Sequence, residues 1–228
     1  MRLTTNARPD LYPAFNPAGT KVGYSSERDI PRPAAYEIDV RGGGESRLFF
    51  GPRENQVILN LRWNPANGAQ MVYAIDDGIW LRDLTTGRDR RLTAEGVHAS
   101  WPAIGPDGIY FSRLTGAGTL QIWRINPATG AMVRFLGTPD GADQPAWTRD
   151  GTAMFYRFAG NIERVDRGAS RGAVVVVNGA EPAPSPNGGN IAFVRDGAIW
   201  TATRDGASQT AVTTGPGDAH PVWGTAAP

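Results

Sequence analysis

One phrase recurs along the chain and limits what it can fold into. With variations, it is a proline, any residue and an aromatic, followed by a polar turn closed by glycine. It reads PAFNPAG at 13–19, LRWNPANG at 61–68, PAIGPDG at 102–108, PAWTRDG at 145–151 and PAPSPNG at 182–188, and it opens a sixth time as PVWG at 221–224. The third positions, Phe15, Trp63, Ile104, Trp147, Pro184 and Trp223, are spaced by 48, 41, 43, 37 and 39 residues. A period of about 42 residues is the length of one four-stranded propeller blade.

Each unit continues in one order. A second apolar run follows the turn (KVGYSS, QMVYAI, GIYFSR, AMFYRF, NIAFVR). A third follows that (AAYEIDV, GIWLRDL, QIWRINP, NIERVDR, AIWTATR), and a fourth comes after a glycine-containing turn (SRLFF, RRLTA, VRFLG, AVVVV, TAVTT). Short runs bounded by Gly, Asp and Asn read as strands joined by hairpins. With 29 glycines and 18 prolines in 228 residues, no helix of ordinary length fits. A lone four-stranded sheet leaves a face uncovered, and radial stacking of such sheets covers it. The expected fold is therefore an all-β propeller over residues 1–228, read as a single domain. Trp80, Trp123 and Trp200, with Tyr36, share the third-strand position, and Trp63, Trp147 and Trp223 share the first. Recurrence at fixed register assigns these aromatics to packing between blades.

Composition removes several functions. A formal net charge of +1 and the absence of basic runs leave no electrostatic footprint for nucleic acid. Without cysteine there is no disulfide, thiolate metal site or thiol nucleophile. No apolar run approaches the length of a membrane span. The N-terminal MRLTTNARPD lacks the apolar core of a signal peptide, so the chain is expected either to be cytoplasmic or to carry its leader outside this sequence.

The stretches DQPAWTRDGTAMFYRFAGNIERVD and HASWPAIGPDGIYFSRLTGAGTLQIWRINPATG resemble the repeats of TolB-type propellers. In that family the pattern runs Pro-Ala-Trp-Ser-Pro-Asp-Gly, an apolar strand, Ile-aromatic, Asp-Gly-Gly, then Arg-Leu-Thr. Units four and five depart from it, with Ile162-Glu163 in place of the Ile-aromatic pair and Pro184 in place of the tryptophan. The resemblance implies a propeller fold, a periplasmic or extracellular location, and non-catalytic binding of other envelope proteins.

Five complete units run from Pro13 to Thr214. Outside them, residues 2–5 match a fourth strand and 219–223 a first strand. These ends are expected to form a partial sixth blade lacking its two middle strands, about 25 residues short of six full repeats. Two alternatives stay open: a closed five-bladed propeller with appended ends, and a native N-terminus upstream. Isolated strands are pairing liabilities, so the partial blade implies a missing segment or a partner that completes it.

No metalloprotease, nucleophile-elbow, phosphate-loop, dinucleotide-binding or EF-hand pattern is present, and no cofactor or metal site is expected. RGGGES at 41–46 falls where the family has its Asp-Gly-Gly turn, and TRDGT at 148–152 reads as a hairpin turn. Asp76, Asp77 and Asp196 lie in second-to-third strand hairpins, where turn chemistry explains them as well as Ca²⁺ ligation does. Glu163 and Asp166 are three apart on an extended run and point to opposite faces. His220 as a general base lacks a visible partner.

One positional pattern remains. The residues just before the recurring phrase are Tyr12, Asn60, Trp101, Gln144, Glu181 and His220, and all can form hydrogen bonds. First strands of a propeller line its channel, so these six are expected to ring one mouth as a ligand-binding set. Polar residues at exposed strand starts are the plainer explanation. Asp10, Asp143 and Asp218 nearby either add negative potential or shape the turns. The expected function is a non-enzymatic scaffold for a protein or small ligand. A glycan-binding lectin and an accessory domain of a larger enzyme or sensor are the alternatives.

Overall fold

Each complete repeat folds into one antiparallel sheet of four strands. The computed structural model describes residues 2–224. Blade 1 holds β1 (Asp10–Phe15), β2 (Lys21–Ser26), β3 (Ala34–Asp39) and β4 (Ser46–Phe50). Blade 2 holds β5 (Leu59–Trp63), β6 (Gln70–Ile75), β7 (Gly78–Asp83) and β8 (Arg88–Arg91). Blade 3 holds β9 (His98–Gly105), β10 (Gly108–Leu114), β11 (Leu120–Ile125) and β12 (Met132–Arg134). Blade 4 holds β13 (Asp143–Trp147), β14 (Ala153–Phe158), β15 (Asn161–Asp166) and β16 (Ala173–Val176). Blade 5 holds β17 (Ala180–Pro184), β18 (Asn190–Arg195), β19 (Ala198–Thr203) and β20 (Thr210–Ala211). Within every sheet the strands lie in chain order, each paired with the next. This is the meander of a β-propeller blade, repeated five times. Among the described residues, neither 2–5 nor 219–223 enters a sheet. Five blades are therefore complete, and the ends add no sixth ladder.

The turns follow from residue chemistry. Ile75 pairs with Gly78 and Arg195 with Ala198, leaving Asp76-Asp77 and Asp196-Gly197 as two-residue loops. All four loop residues have positive φ, as hairpin turns matching strand twist require. In TRDGT the amide of Gly151 donates to the Thr148 carbonyl at 2.9 Å, and Asp150 accepts from the hydroxyls of Thr148 and Thr152. RGGGES is an exposed turn between β3 and β4, anchored by the Gly42 amide on the Asp39 carbonyl at 2.9 Å.

The chain divides into two compact units, Met1–Pro102 with Gly224–Pro228, and Ala103–Trp223. In the first, Tyr73, Met71, Ile75 and Trp63 of blade 2 pack on Ala14, Ala35 and Phe49 of blade 1. The second holds two such layers. Met154, Tyr156 and Trp147 pack on Tyr110 and Ile122, and Ile191 and Phe193 pack on Phe155 and Ile162. The second strands supply many of the buried aromatics. Every one carries an aliphatic residue followed two positions later by Tyr or Phe: Val22/Tyr24, Met71/Tyr73, Ile109/Phe111, Met154/Tyr156 and Ile191/Phe193. Period-2 alternation puts both on one face. The first-strand tryptophans Trp63 and Trp147 are buried, as assigned from their register, whereas Trp123 and Trp200 of the third strands are only partly covered.

Candidate functional site

The six residues singled out at the first-strand starts share one backbone state. Tyr12, Asn60, Trp101, Gln144, Glu181 and His220 have φ of 54°, 50°, 52°, 53°, 53° and 56°. Non-glycine residues rarely adopt positive φ, and each instance costs on the order of 1–3 kcal/mol. The strand register explains the need. Leu11 pairs with Ser25 but Ala14 with Gly23, so Tyr12 and Pro13 together oppose Tyr24. The same two-against-one bulge sets Asn60-Leu61 opposite Tyr73, Gln144-Pro145 opposite Tyr156 and Glu181-Pro182 opposite Phe193. A bulge leaves its extra residue outside the ladder, so proline can follow without losing a pairing hydrogen bond. The recurring proline of the sequence is the second residue of this bulge.

Side chains at these positions reach into the next unit of the repeat. The Gln144 amide donates to Ser112 Oγ at 2.9 Å. Gln144 Oε1 then accepts from the Glu181 amide at 2.8 Å, and Glu181 Oε2 accepts from the His220 amide at 2.6 Å. The same carboxylate oxygen lies 3.1 Å from His220 Nδ1. Three of the six are thereby linked, through side chain to backbone, across blades 4 and 5 and the segment after them. Gln144 is 8% exposed and Glu181 and His220 are half-buried. Beside the relay, burial pushes the Asp143 carboxyl above the usual carboxylate range, against Arg157 at 3.6 Å, which pulls it down.

In the first unit Tyr12 and Trp101 are half-buried, and Asn60 is 3% exposed. Asn60 Nδ2 is buried without a hydrogen-bond partner, as is Ser25 Oγ on the neighbouring blade. Ser25 opposes Ala35 one position beyond Tyr24, the place that Ser112 takes in blade 3. Ser25 and Asn60 thus repeat the Ser112 and Gln144 positions without that pair's hydrogen bond.

Of the acidic residues considered, Asp10 faces Arg28 at 3.4 Å. Asp77 lies 3.1 Å from His98 Nδ1. Glu163 accepts from the Tyr156 hydroxyl, while Asp166 pairs with Arg164 at 2.9 Å, so the two carboxylates have separate partners. Among the described residues, no three acids or histidines cluster as metal ligands. Sequence reasoning missed the backbone role of the six. One signal was present: none of them is β-branched, the class least tolerant of positive φ.

No family model matches the chain. Among solved structures it is similar to TolB from Acinetobacter baumannii, with a TM-score of 0.78 and 20% identity over 96% of this chain. It spans 58% of that protein. A putative TolB from Agrobacterium tumefaciens gives 0.77 and 17% over 92% of this chain and 83% of the other. A chain of the Nidogen/Laminin complex gives 0.70 and 11%, covering 89% of this chain and 79% of its own. With five four-stranded blades and these neighbours, the chain has the fold of the TolB β-propellers.

Proposed function

We propose that the chain is a non-catalytic binding scaffold, taking a protein segment or small ligand where its first strands begin. The observation that carries this reading is the positive φ repeated at the six positions. Six times the chain holds a polar or aromatic residue at a φ of 50–56° where glycine would sit without strain. Strain kept at equivalent points is a mark of working surfaces. Asn60 adds a buried donor with no hydrogen-bond partner among the described residues, which suits an acceptor group on a ligand. Tyr12 and Trp101 supply half-buried aromatic surface beside polar groups, the composition of recognition sites. A structural neighbour was solved in a Nidogen/Laminin complex, which agrees with a role in protein assembly. The likeness to TolB supports a periplasmic or extracellular location for the chain. No described helix is long and apolar enough to cross a membrane.

A photo-crosslinking residue at Tyr12 or Trp101 tests the reading, with Leu136, 76% exposed on blade 3, as the control position. In lysate of envelope proteins, the first two are expected to give one shared adduct that Leu136 does not. Equal adducts from all three would remove the site.

A further inference from the structure

We infer that the end of blade 4 opposite its first-strand start is an interaction surface for an acidic polypeptide segment, held by Arg149, Arg167 and Arg171. The three arginines are exposed and stand on two turns, residues 148–152 between β13 and β14 and residues 167–172 between β15 and β16. Both turns close the same end of the sheet, and the Arg167 amide joins them by donating to the Thr152 carbonyl at 2.8 Å. Arg204, just after β19, carries the surface onto blade 5. Its guanidinium donates to Thr152 Oγ1 at 3.1 Å and lies 3.7 Å from Asp166. With Arg164, five arginines meet three aspartates here, Asp150, Asp166 and Asp205.

The acids are already engaged. Asp150 accepts from Thr148 Oγ1 at 2.6 Å and from the Thr152 amide at 3.0 Å. Asp166 receives the Arg164 guanidinium through two bonds of 3.0 and 2.9 Å, and Asp205 accepts from Thr203 Oγ1 at 2.6 Å. These bonds hold all three carboxyls below the usual carboxylate range, so they stay ionised. Among the described residues, no acid lies within ion-pair distance of Arg149, Arg167 or Arg171. A guanidinium is a planar fork that takes a carboxylate through two charge-assisted hydrogen bonds. Three such forks on two turns call for several carboxylates carried on one chain. The mixture of signs narrows the partner further. A uniformly anionic plane, such as a membrane surface, would be set against Asp150, Asp166 and Asp205, and like charges brought together at an interface cost affinity. A flexible acidic segment can place its carboxylates on the arginines and pass the aspartates by. Gln144 and Glu181 lie at the other end of their strands, so this surface stands apart from the site at the first-strand starts.

The probe is a fluorescein-labelled hexaglutamate peptide, titrated into the full chain by fluorescence anisotropy at low salt. Saturable binding is expected. It should weaken about tenfold or more in the triple variant R149A/R167A/R171A, which removes the charge-assisted bonds. A second triple variant, R8A/R41A/R88A, takes the same charge from exposed arginines of the first unit and should bind as the wild type does. In the unaltered chain, hydrogen exchange of the 167–172 turn should slow when the peptide is added. No saturable binding, equal loss in the two variants, equal binding of hexalysine, or unchanged exchange in that turn would overturn the inference. So would co-sedimentation of the wild type, but not of R149A/R167A/R171A, with phosphatidylglycerol vesicles, since the occupant would then be a lipid surface.

Discussion

Ser112 with Gln144 and Ser25 with Asn60 occupy the same two places in the repeat, yet only the first pair is satisfied. Ser112 accepts from the Gln144 amide, and Gln144 passes its own acceptor to the Glu181 amide. Asn60 has a side chain one methylene shorter, and its Nδ2 and the Ser25 hydroxyl are buried without partners. The repeat fixes where the backbone bends, and the two pairs differ in whether the serine hydroxyl meets the amide of that bend. A satisfied buried amide stabilises modestly, but an orphaned one costs its full desolvation. The first pair is therefore read as support and the second as the place where a ligand's acceptor would be welcome.

The largest expected effect is for Gln144→Ala, which strands the Glu181 amide and keeps a side chain at positive φ. It should lose about 2–3 kcal/mol in urea unfolding. Ser112→Ala should follow with about 1–2 kcal/mol, because the Gln144 amide loses its acceptor in a buried place. If these two cost no more than their counterparts, the relay holds nothing together.

Asp143→Asn sharpens the contrast through pH. The folded carboxyl titrates above its ordinary value of 3.8, chiefly because burial penalises its charge. Folding therefore favours the protonated form. Wild-type stability from this group is fully present below the unfolded value and is lost as pH rises through the folded one. The variant should be the more stable at neutral pH, with the difference vanishing in acid. Parallel stability curves from acid to neutral would refute the burial account.

The smallest effects belong to the unsatisfied pair. Ser25→Ala deletes an unpartnered hydroxyl and should change stability by no more than about 0.5 kcal/mol, or raise it. Asn60→Gly relieves the positive φ and removes the orphaned Nδ2, and should stay within about 1 kcal/mol of wild type. Loss of ligand capture in Asn60→Gly without loss of folding would join this position to the proposed function.

The blades were legible because each level of the sequence agrees. The period of the Pro-x-aromatic phrase, the aliphatic-x-aromatic pattern of the second strands and the Asp-Gly or Asp-Asp turns all specify the same meander. The polar character of the six first-strand starts was legible too. Its physical reason was not, because a bulge is a property of two strands in register, and Tyr12 or Glu181 alone gives no sign of it. The difference between Gln144 and Asn60 lay further out of reach, since it depends on which amide comes within hydrogen-bond distance. The ends were half legible. PVWG marks a first strand by its residues, and the structure gives His220 the φ of the bulge residues and Trp223 its indole contact with Ala183. Residues 2–5 match RRLT by sequence, but they carry no ladder, and Leu3 instead packs against the apolar face of blade 1.

The hydrogen-bond relay has a direction. Ser112 precedes Gln144, Gln144 precedes Glu181, and Glu181 precedes His220, so every acceptor lies upstream of the donor it serves. On a ribosome the chain emerges in that order, so each accepting oxygen is made before the amide that will reach it. Construction can then advance like masonry, course upon course, with the youngest residues seated last.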